Sequence, residues 1–271
     1  YPIPIKQLAR VISTHYHPDH VGLAGWLTTH RNTELWMSQR EYLYCHHMLR
    51  ITNTTSLEVA IAHFRASGLN EEQLETFAAR FGSFEDNSHD LPHSYHRLVD
   101  NQKLILGDRE WRVITGSGHS PDHVCLLCAE LKLFISGDQL LPGISSNVSV
   151  LPTEPQANPL GDWLHSCKKL LRLVPENVLV LPAHGLPFRG AHSRLHHLIE
   201  EREENLAKVV VACKTPQRAV DLFPLLFRTK IGQKNAFLAA GESIAYLNYL
   251  IDQGLVSVDR DENGVNHYSS N

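Results

Sequence analysis

No apolar run in this 271-residue sequence approaches the roughly 20 residues that a membrane-spanning helix needs, and no secretory leader opens it. Neither a bilayer nor an export route is therefore expected of it. A disulfide framework is also lacking. The five cysteines, Cys45, Cys125, Cys128, Cys167 and Cys213, are odd in number and scattered, which fits a reducing, cytoplasmic setting. Cys125 and Cys128 do form a C-x-x-C, but they sit in the apolar run Val124 to Ala129, where core packing is favoured over redox chemistry. There is no excess of basic charge either. A formal charge of -4 leaves no electrostatic footprint for nucleic acid or an anionic membrane. The sequence opens on Tyr1 and reaches its first motif at residue 15, so a further segment ahead of Tyr1 is expected.

What the chain has in abundance is histidine, 18 in all. The densest stretch is His15-Tyr16-His17-Pro18-Asp19-His20, directly after the apolar run Leu8 to Ile12. Four metal-capable side chains in six residues cannot share one helical face, but a strand end opening into a loop can aim them into one cavity. A merely solvated His-rich turn is the competing reading.

Taken in order, Leu8 to Ser13 reads as a buried strand, His20 to Thr29 as helix and Thr33 to Met37 as strand. Helices are expected over Glu41 to Arg50, Leu57 to Ala66 and Glu71 to Phe81, an insertion of about residues 39–82 that either packs against the domain edge or forms a lid. Leu104 to Leu106 and Trp111 to Ile114 flank Gly107-Asp108 as a hairpin, and Val124 to Cys128 and Leu133 to Ile135 are further strands. The long loop from Pro142 to Pro159 carries Ser145, Ser146 and Asn147, which could touch substrate. Trp163 to Leu173 is expected as helix, Val178 to Leu181 as strand, and His192 to Cys213 as a long charged helix. Thr215-Pro216 reads as a helix start, Ala236 to Gln253 as a helix, and Leu255 to Val258 with Val265 to Tyr268 as a hairpin. Such alternation indicates an α/β layered domain over 1–190, with 191–271 as a small winged-helix-like domain.

Four positions share one grammar, an apolar strand, a break and a metal-capable side chain: the His15 motif, His119, Asp138 and His184. If those strands lie in register, seven ligands converge at one edge. His15, His17 and His119 are assigned to one metal, Asp19, His20 and His184 to a second, and Asp138 bridges them. Neutral imidazoles suit zinc, iron or manganese, with zinc expected, and a shared carboxylate holds two cations about 3.5–4 Å apart. Water shared by two divalent cations ionises near neutral pH and attacks a substrate carbonyl or phosphoryl group, with Asp19 orienting it.

With these residues in view, the chain resembles the metallo-β-lactamase superfamily over roughly residues 1–190, in His15-x-His17-x-Asp19-His20, His119, Asp138 and His184. The resemblance implies an αββα sandwich with a dinuclear site at the edge between two sheets, and members carry strands ahead of the first motif. True β-lactamases lack the bridging aspartate that stands here as Asp138. Glyoxalase-II-like thioesterases, lactonases, phosphodiesterases and ribonucleases have it. A hydrolase domain, a long charged helix and a winged helix in that order resemble the β-lactamase-like 2 subgroup, some of which cleave RNA.

From Thr215 to Asn271, five basic residues face six acidic ones, and Ala236 to Gln253 holds no Lys or Arg. This is a poor grip on phosphate, so the region is read as packing, homodimerisation or shaping the rim. His123 either lines the pocket, as a substrate hydrogen-bond donor or leaving-group acid, or is a buried structural histidine. The expected function is a dinuclear metal hydrolase of a small ester, thioester or lactone. The alternatives are a phosphodiesterase or ribonuclease of the same fold, a mononuclear iron persulfide dioxygenase, and a non-catalytic binding protein.

Overall fold

The computed structural model describes residues 8–51 and 54–271. The β-branched, apolar stretch before the histidine motif forms β1 (Arg10–Ile12), a single helical turn α1 (Pro18–Val21) carries the end of that motif, and α2 (Ala24–Arg31) leads into β2 (Glu34–Ser38). Pro18 opens α1 at a position where its missing N–H costs nothing. α3 (Gln39–Met48), α4 (Thr54–Ala66) and α5 (Glu71–Ala78) follow, before β3 (His96–Leu98) joins β1 and β2 in a three-stranded parallel sheet. β3 carries no periodic signal in the sequence because only Leu98 of its three residues is buried.

Five strands make the second sheet in spatial order β4 (Lys103–Leu106), β5 (Arg109–Gly116), β6 (His123–Cys128), β7 (Leu133–Gly137) and β8 (Leu179–Pro182). The expected hairpin is β4 and β5, turning at Gly107 with φ +67°. The first four strands pair antiparallel, and β8 runs parallel to β7. Between the two sheets, Ile12, Trp36 and Leu98 pack with Trp111, Val113, Val124, Leu126 and Cys128. On the outer face of the first sheet, Leu35 and Met37 meet Val21, Ala24, Tyr42 and Cys45 of the helices. This is the α/β sandwich that the strand–helix alternation indicates. Cys125 and Cys128 are three residues apart on one strand and so face opposite sides of the sheet. Both are buried and free, and facing apart they are not placed to pair with each other.

The chain divides by its internal contacts into two compact units, one of Tyr1–Thr52, Gly82–Ser146 and Lys169–His192, the other of Asn53–Phe81, Asn147–Lys168 and Ser193–Asn271. Membership does not follow chain position. Residues 53–81 and 147–168 belong with the C-terminal segment.

That second unit takes in most of α6 (Pro159–Leu173) and α7 (Ala191–Ala212), with α8 (Phe223–Leu226), α9 (Ala236–Asp252) and the hairpin β9 (Val256–Arg260) and β10 (Asn266–Ser270). Phe64, Leu69 and Leu74 of the α4–α5 region pack with Ala236, Ala240 and Phe237 of α9. The apolar face of these inserted helices is thus core. An Asn70–Gln73 capping box starts α5. Contrary to the helix start expected there, Thr215-Pro216 begins no helix. The backbone N–H and C=O of Gln217 pair with Tyr268 on β10, at 3.0 and 2.8 Å, and helical geometry begins only at a 3-10 turn, Ala219–Leu222. No helix among the described residues is long and apolar enough to cross a membrane.

Candidate metal centre

Each residue of the seven-member set stands just beyond the C-terminal end of a strand: the His15 motif after β1, His119 after β5, Asp138 after β7 and His184 after β8. Because β5 and β7 are both antiparallel to β6, and β8 is parallel to β7, these three ends open on one edge of the second sheet. The end of β1 reaches the same edge, where the Val124 N–H donates to the Thr14 carbonyl at 2.8 Å.

All seven side chains meet there. His15 Nε2 is 2.9 Å from His17 Nδ1 and 3.3 Å from His119 Nε2, three ring nitrogens turned toward one point. His184 Nε2 and His20 Nε2 lie 3.2 and 3.3 Å from Asp19 Oδ2. Asp138 sits between the groups. Its Oδ2 is 3.3 Å from His119, 3.4 Å from His20 and 3.9 Å from His15, and its Oδ1 is 3.5 Å from His184. Three overlapping sets each bring ligand atoms within 4.8 Å of one another: His15, His17 and His119; His15, His20 and Asp138; Asp19, His20 and His184.

Two observations test whether this cluster suits cations. His20 Nε2 and Asp138 Oδ1 are buried and make no hydrogen bond among the described residues beyond the ring–carboxylate contacts just given, a shortfall that a cation would make good. The protonation states also fit. Burial, then the neighbouring rings of His123 and His17, holds the His15 imidazole far below its ordinary value, and burial with His119 does the same for His17. Burial alone would raise Asp138, but the imidazoles of His119 and His20 overcome it and keep the carboxyl ionised. Burial opposes charge on His20 too, yet the Asp138 and Asp19 carboxylates raise it. Neutral imidazoles beside a carboxylate are a donor set for divalent first-row metals.

The cluster is lopsided in its access to solvent. The side chains of Asp19 and His184 are 57% and 45% exposed, against 9% for Asp138 and 6% for His119. The Asp19 and His184 side of the cluster is therefore the one open to solvent.

His123 lies beneath the cluster, fully buried. Its Nε2 accepts the Asp138 N–H at 3.1 Å, its Nδ1 faces Cys125 Sγ at 3.7 Å, and its ring stacks on His15. Burial, then His119, lowers it to about 3. The leaving-group acid offered for His123 does not suit this place, because the ring is fully buried, Nε2 accepts from backbone and Nδ1 faces Cys125. Gly137, with φ +52°, admits the ring: a Cβ there would stand 2.5 Å from His123 Cε1. In the long loop, the buried Ser146 hydroxyl donates to the Asp138 carbonyl, while the Asn147 amide donates to Glu242 at 2.9 Å. Ser145 is half-buried.

One residue escaped the sequence reading. Glu41, fully buried in the first turn of α3, accepts from the Tyr16 N–H at 2.9 Å, the Ser120 hydroxyl at 2.7 Å and the Asp122 N–H at 2.6 Å. Burial pushes its carboxyl up to about 7 against the pull of those donors. Its only signal in sequence is Ser38-Gln39-Arg40-Glu41, which reads as a capping box.

Comparison with known proteins agrees with this geometry. Residues 3–184 match the Metallo-beta-lactamase superfamily, and residues 206–271 match the Metallo-beta-lactamase-like, C-terminal domain. The crystal structure of a beta-lactamase domain protein from Burkholderia ambifaria superposes with a TM-score of 0.88 at 36% identity, covering 97% of this chain and 75% of that one. The probable metallo-hydrolase YqjP of Bacillus subtilis is 23% identical over 260 residues, 92% of this chain and 76% of that protein. The acyl-coenzyme A thioesterase MBLAC2 of Gallus gallus is 35% identical over 103 residues, 37% of this chain and 34% of its own length. A match over most of the chain, and ligand-type side chains gathered at one sheet edge, place this chain in the metallo-beta-lactamase superfamily.

Proposed function

We propose that this metal-dependent hydrolase works at a two-metal centre on a small ester, thioester or lactone. The observation that carries the reading is Asp138, whose Oδ2 lies within 3.4 Å of His119 of one group and His20 of the other, and whose Oδ1, 3.5 Å from His184, is buried without a hydrogen bond. His15, His17 and His119 would hold one cation, Asp19, His20 and His184 the other, and Asp138 both. When bound, such a pair supplies Lewis-acid polarisation of the scissile carbonyl and lowers the pKa of water.

The chain's own groups do the rest. Burial keeps His15 and His17 neutral at physiological pH, so their lone pairs are available. His123 fixes the backbone of Asp138 through its N–H, and Ser146 fixes it through its carbonyl. Asp19, the most exposed carboxylate of the set, orients the attacking water and holds its proton on a carboxylate oxygen. No side-chain nucleophile is required.

The similarity to an acyl-coenzyme A thioesterase over about a third of the chain supports placing thioesters first among substrates. The test is metal analysis of the purified chain after incubation with zinc, iron or manganese, followed by turnover of thioester, lactone and phosphodiester panels. Two equivalents per chain with thioester or ester turnover is the expected result. One iron per chain with oxygen uptake, or turnover confined to phosphodiesters, would replace the reading.

A further inference from the structure

We infer that Glu41 is a positioning residue for the three-histidine group, a single carboxylate that clamps both loops on which His15, His17 and His119 stand. The inference rests on the metal-binding reading above.

Its three donors are distributed in a telling way. Tyr16 lies between His15 and His17, and Ser120 directly follows His119, with Asp122 two residues further on. One carboxylate oxygen takes the first loop and the other takes the second. The distance from the His15–His17 pair to His119 is therefore set through Glu41, from a helix that supplies no ligand.

Local sequence would send this side chain elsewhere. Ser38 and Glu41 have the spacing of a capping box, in which both would satisfy the N-terminus of their own helix. Neither does so. Ser38 makes no side-chain cap, and its hydroxyl donates instead to the Asp122 carbonyl at 2.7 Å. Both residues of the box are turned onto the ligand loops. Glu41 is also buried with no ion pair among the described residues, and Asp122 is the charge that acts on it. Burying an unpaired carboxylate is costly, and the compensation visible here is hydrogen bonds that fix backbone around prospective ligands.

The other group is held differently. Asp19 and His20 ride on α1, and His184 follows β8. Loss of Glu41 should therefore weaken one cation site and spare the other.

The experiment titrates metal-free wild type, Glu41→Gln and Glu41→Asp with Zn2+ and Co2+, reading equivalents, affinities and the Co2+ spectrum, with circular dichroism to report folding. Gln matches the shape but its NH2 cannot accept a backbone N–H, so one loop is released. Asp keeps the charge but loses a methylene of reach. Wild type is expected to bind two equivalents. In both variants one site should keep its affinity while the other weakens by about 10- to 100-fold, the usual scale for residues behind a metal ligand. Two wild-type affinities in Glu41→Gln would overturn the clamp and leave the two-metal reading standing, and so would full rescue by Glu41→Asp. Fewer than two equivalents in wild type would remove the two-metal reading and the clamp with it. Should the Glu41 variants fail to fold, Ser120→Ala removes a single donor, and a several-fold weakening of the same site is expected. Unchanged affinity there overturns the clamp.

Discussion

Asp138 shows what a single carboxylate can do that its amide cannot. Its two oxygens face different imidazoles, and it stays ionised because those rings outweigh the effect of burial. In Asp138→Asn the shape is kept, but one face of the side chain becomes a donor that cannot meet a cation. The variant is expected to fold, to keep at most one metal equivalent, and to lose more than about 100-fold in kcat/KM, beyond the 10- to 100-fold typical of residues that only support a ligand. Metal analysis with steady-state kinetics checks this; two retained equivalents would show that Asp138 is not shared.

At the level of elements, the strand ends decide the outcome. β7 must stop, bend and present Asp138 within two residues, and Gly137 makes that possible by taking φ +52° and leaving room for the His123 ring. In Gly137→Ala the new Cβ falls 2.5 Å from His123 and the backbone enters the left-handed region. We expect at least about 1 kcal/mol of destabilisation, as for Ala at positive φ, together with weaker metal retention. Thermal unfolding and metal titration together would reveal an unaffected variant. Much of this could be read in sequence, because an apolar strand followed by a break and a ligand is a local pattern. The five-strand sheet and the seven-residue cluster follow from it. Three features were not local. Glu41 acts through residues 16, 120 and 122, so its neighbours reveal nothing about its partners. His123 repeats the Pro-Asp-His of the first motif, but its burial within a fully covered strand is decided by the sheet. Thr215-Pro216 has the chemistry of a helix start, and pairing of Gln217 with β10 overrides it.

The molecule as a whole responds to pH through groups whose signs differ. In the metal-free chain, His15, His17 and His123 stay neutral well below the ordinary 6.5, so on acidification the unfolded chain binds protons that the folded chain refuses. Their contribution is lost as pH falls below 6.5. Glu41 acts in the opposite sense, since its carboxyl is raised from 4.5 to about 7 and its contribution is lost as pH rises through 7. His20, raised by the Asp138 and Asp19 carboxylates against burial, acts in the same sense as Glu41. Lowered imidazoles, His46 and His63 among them, outnumber the raised His20 and the raised carboxyls of Glu41 and Asp122, so Tm of the metal-free protein should fall between pH 6.5 and 5. A flat or rising Tm over that range would contradict the burial of these rings.

Charge over the whole chain also separates the substrate classes. A net charge of -4 opposes a polyanion, and the C-terminal region offers no local exception. Arg218 is paired with Asp221 at 2.8 Å and Arg228 with Glu201 at 3.6 Å, while α9 holds no Lys or Arg and buries most of its length. Since phosphate contacts supply most nucleic-acid affinity, labelled single-stranded RNA and duplex DNA should bind more weakly than about 100 μM at physiological salt, the weak end of non-specific binding. Fluorescence anisotropy across a salt series measures this directly. Micromolar binding that falls steeply with salt would mean that basic groups converge in a way their pairing here does not suggest, and would move the phosphodiesterase reading ahead of the thioesterase one.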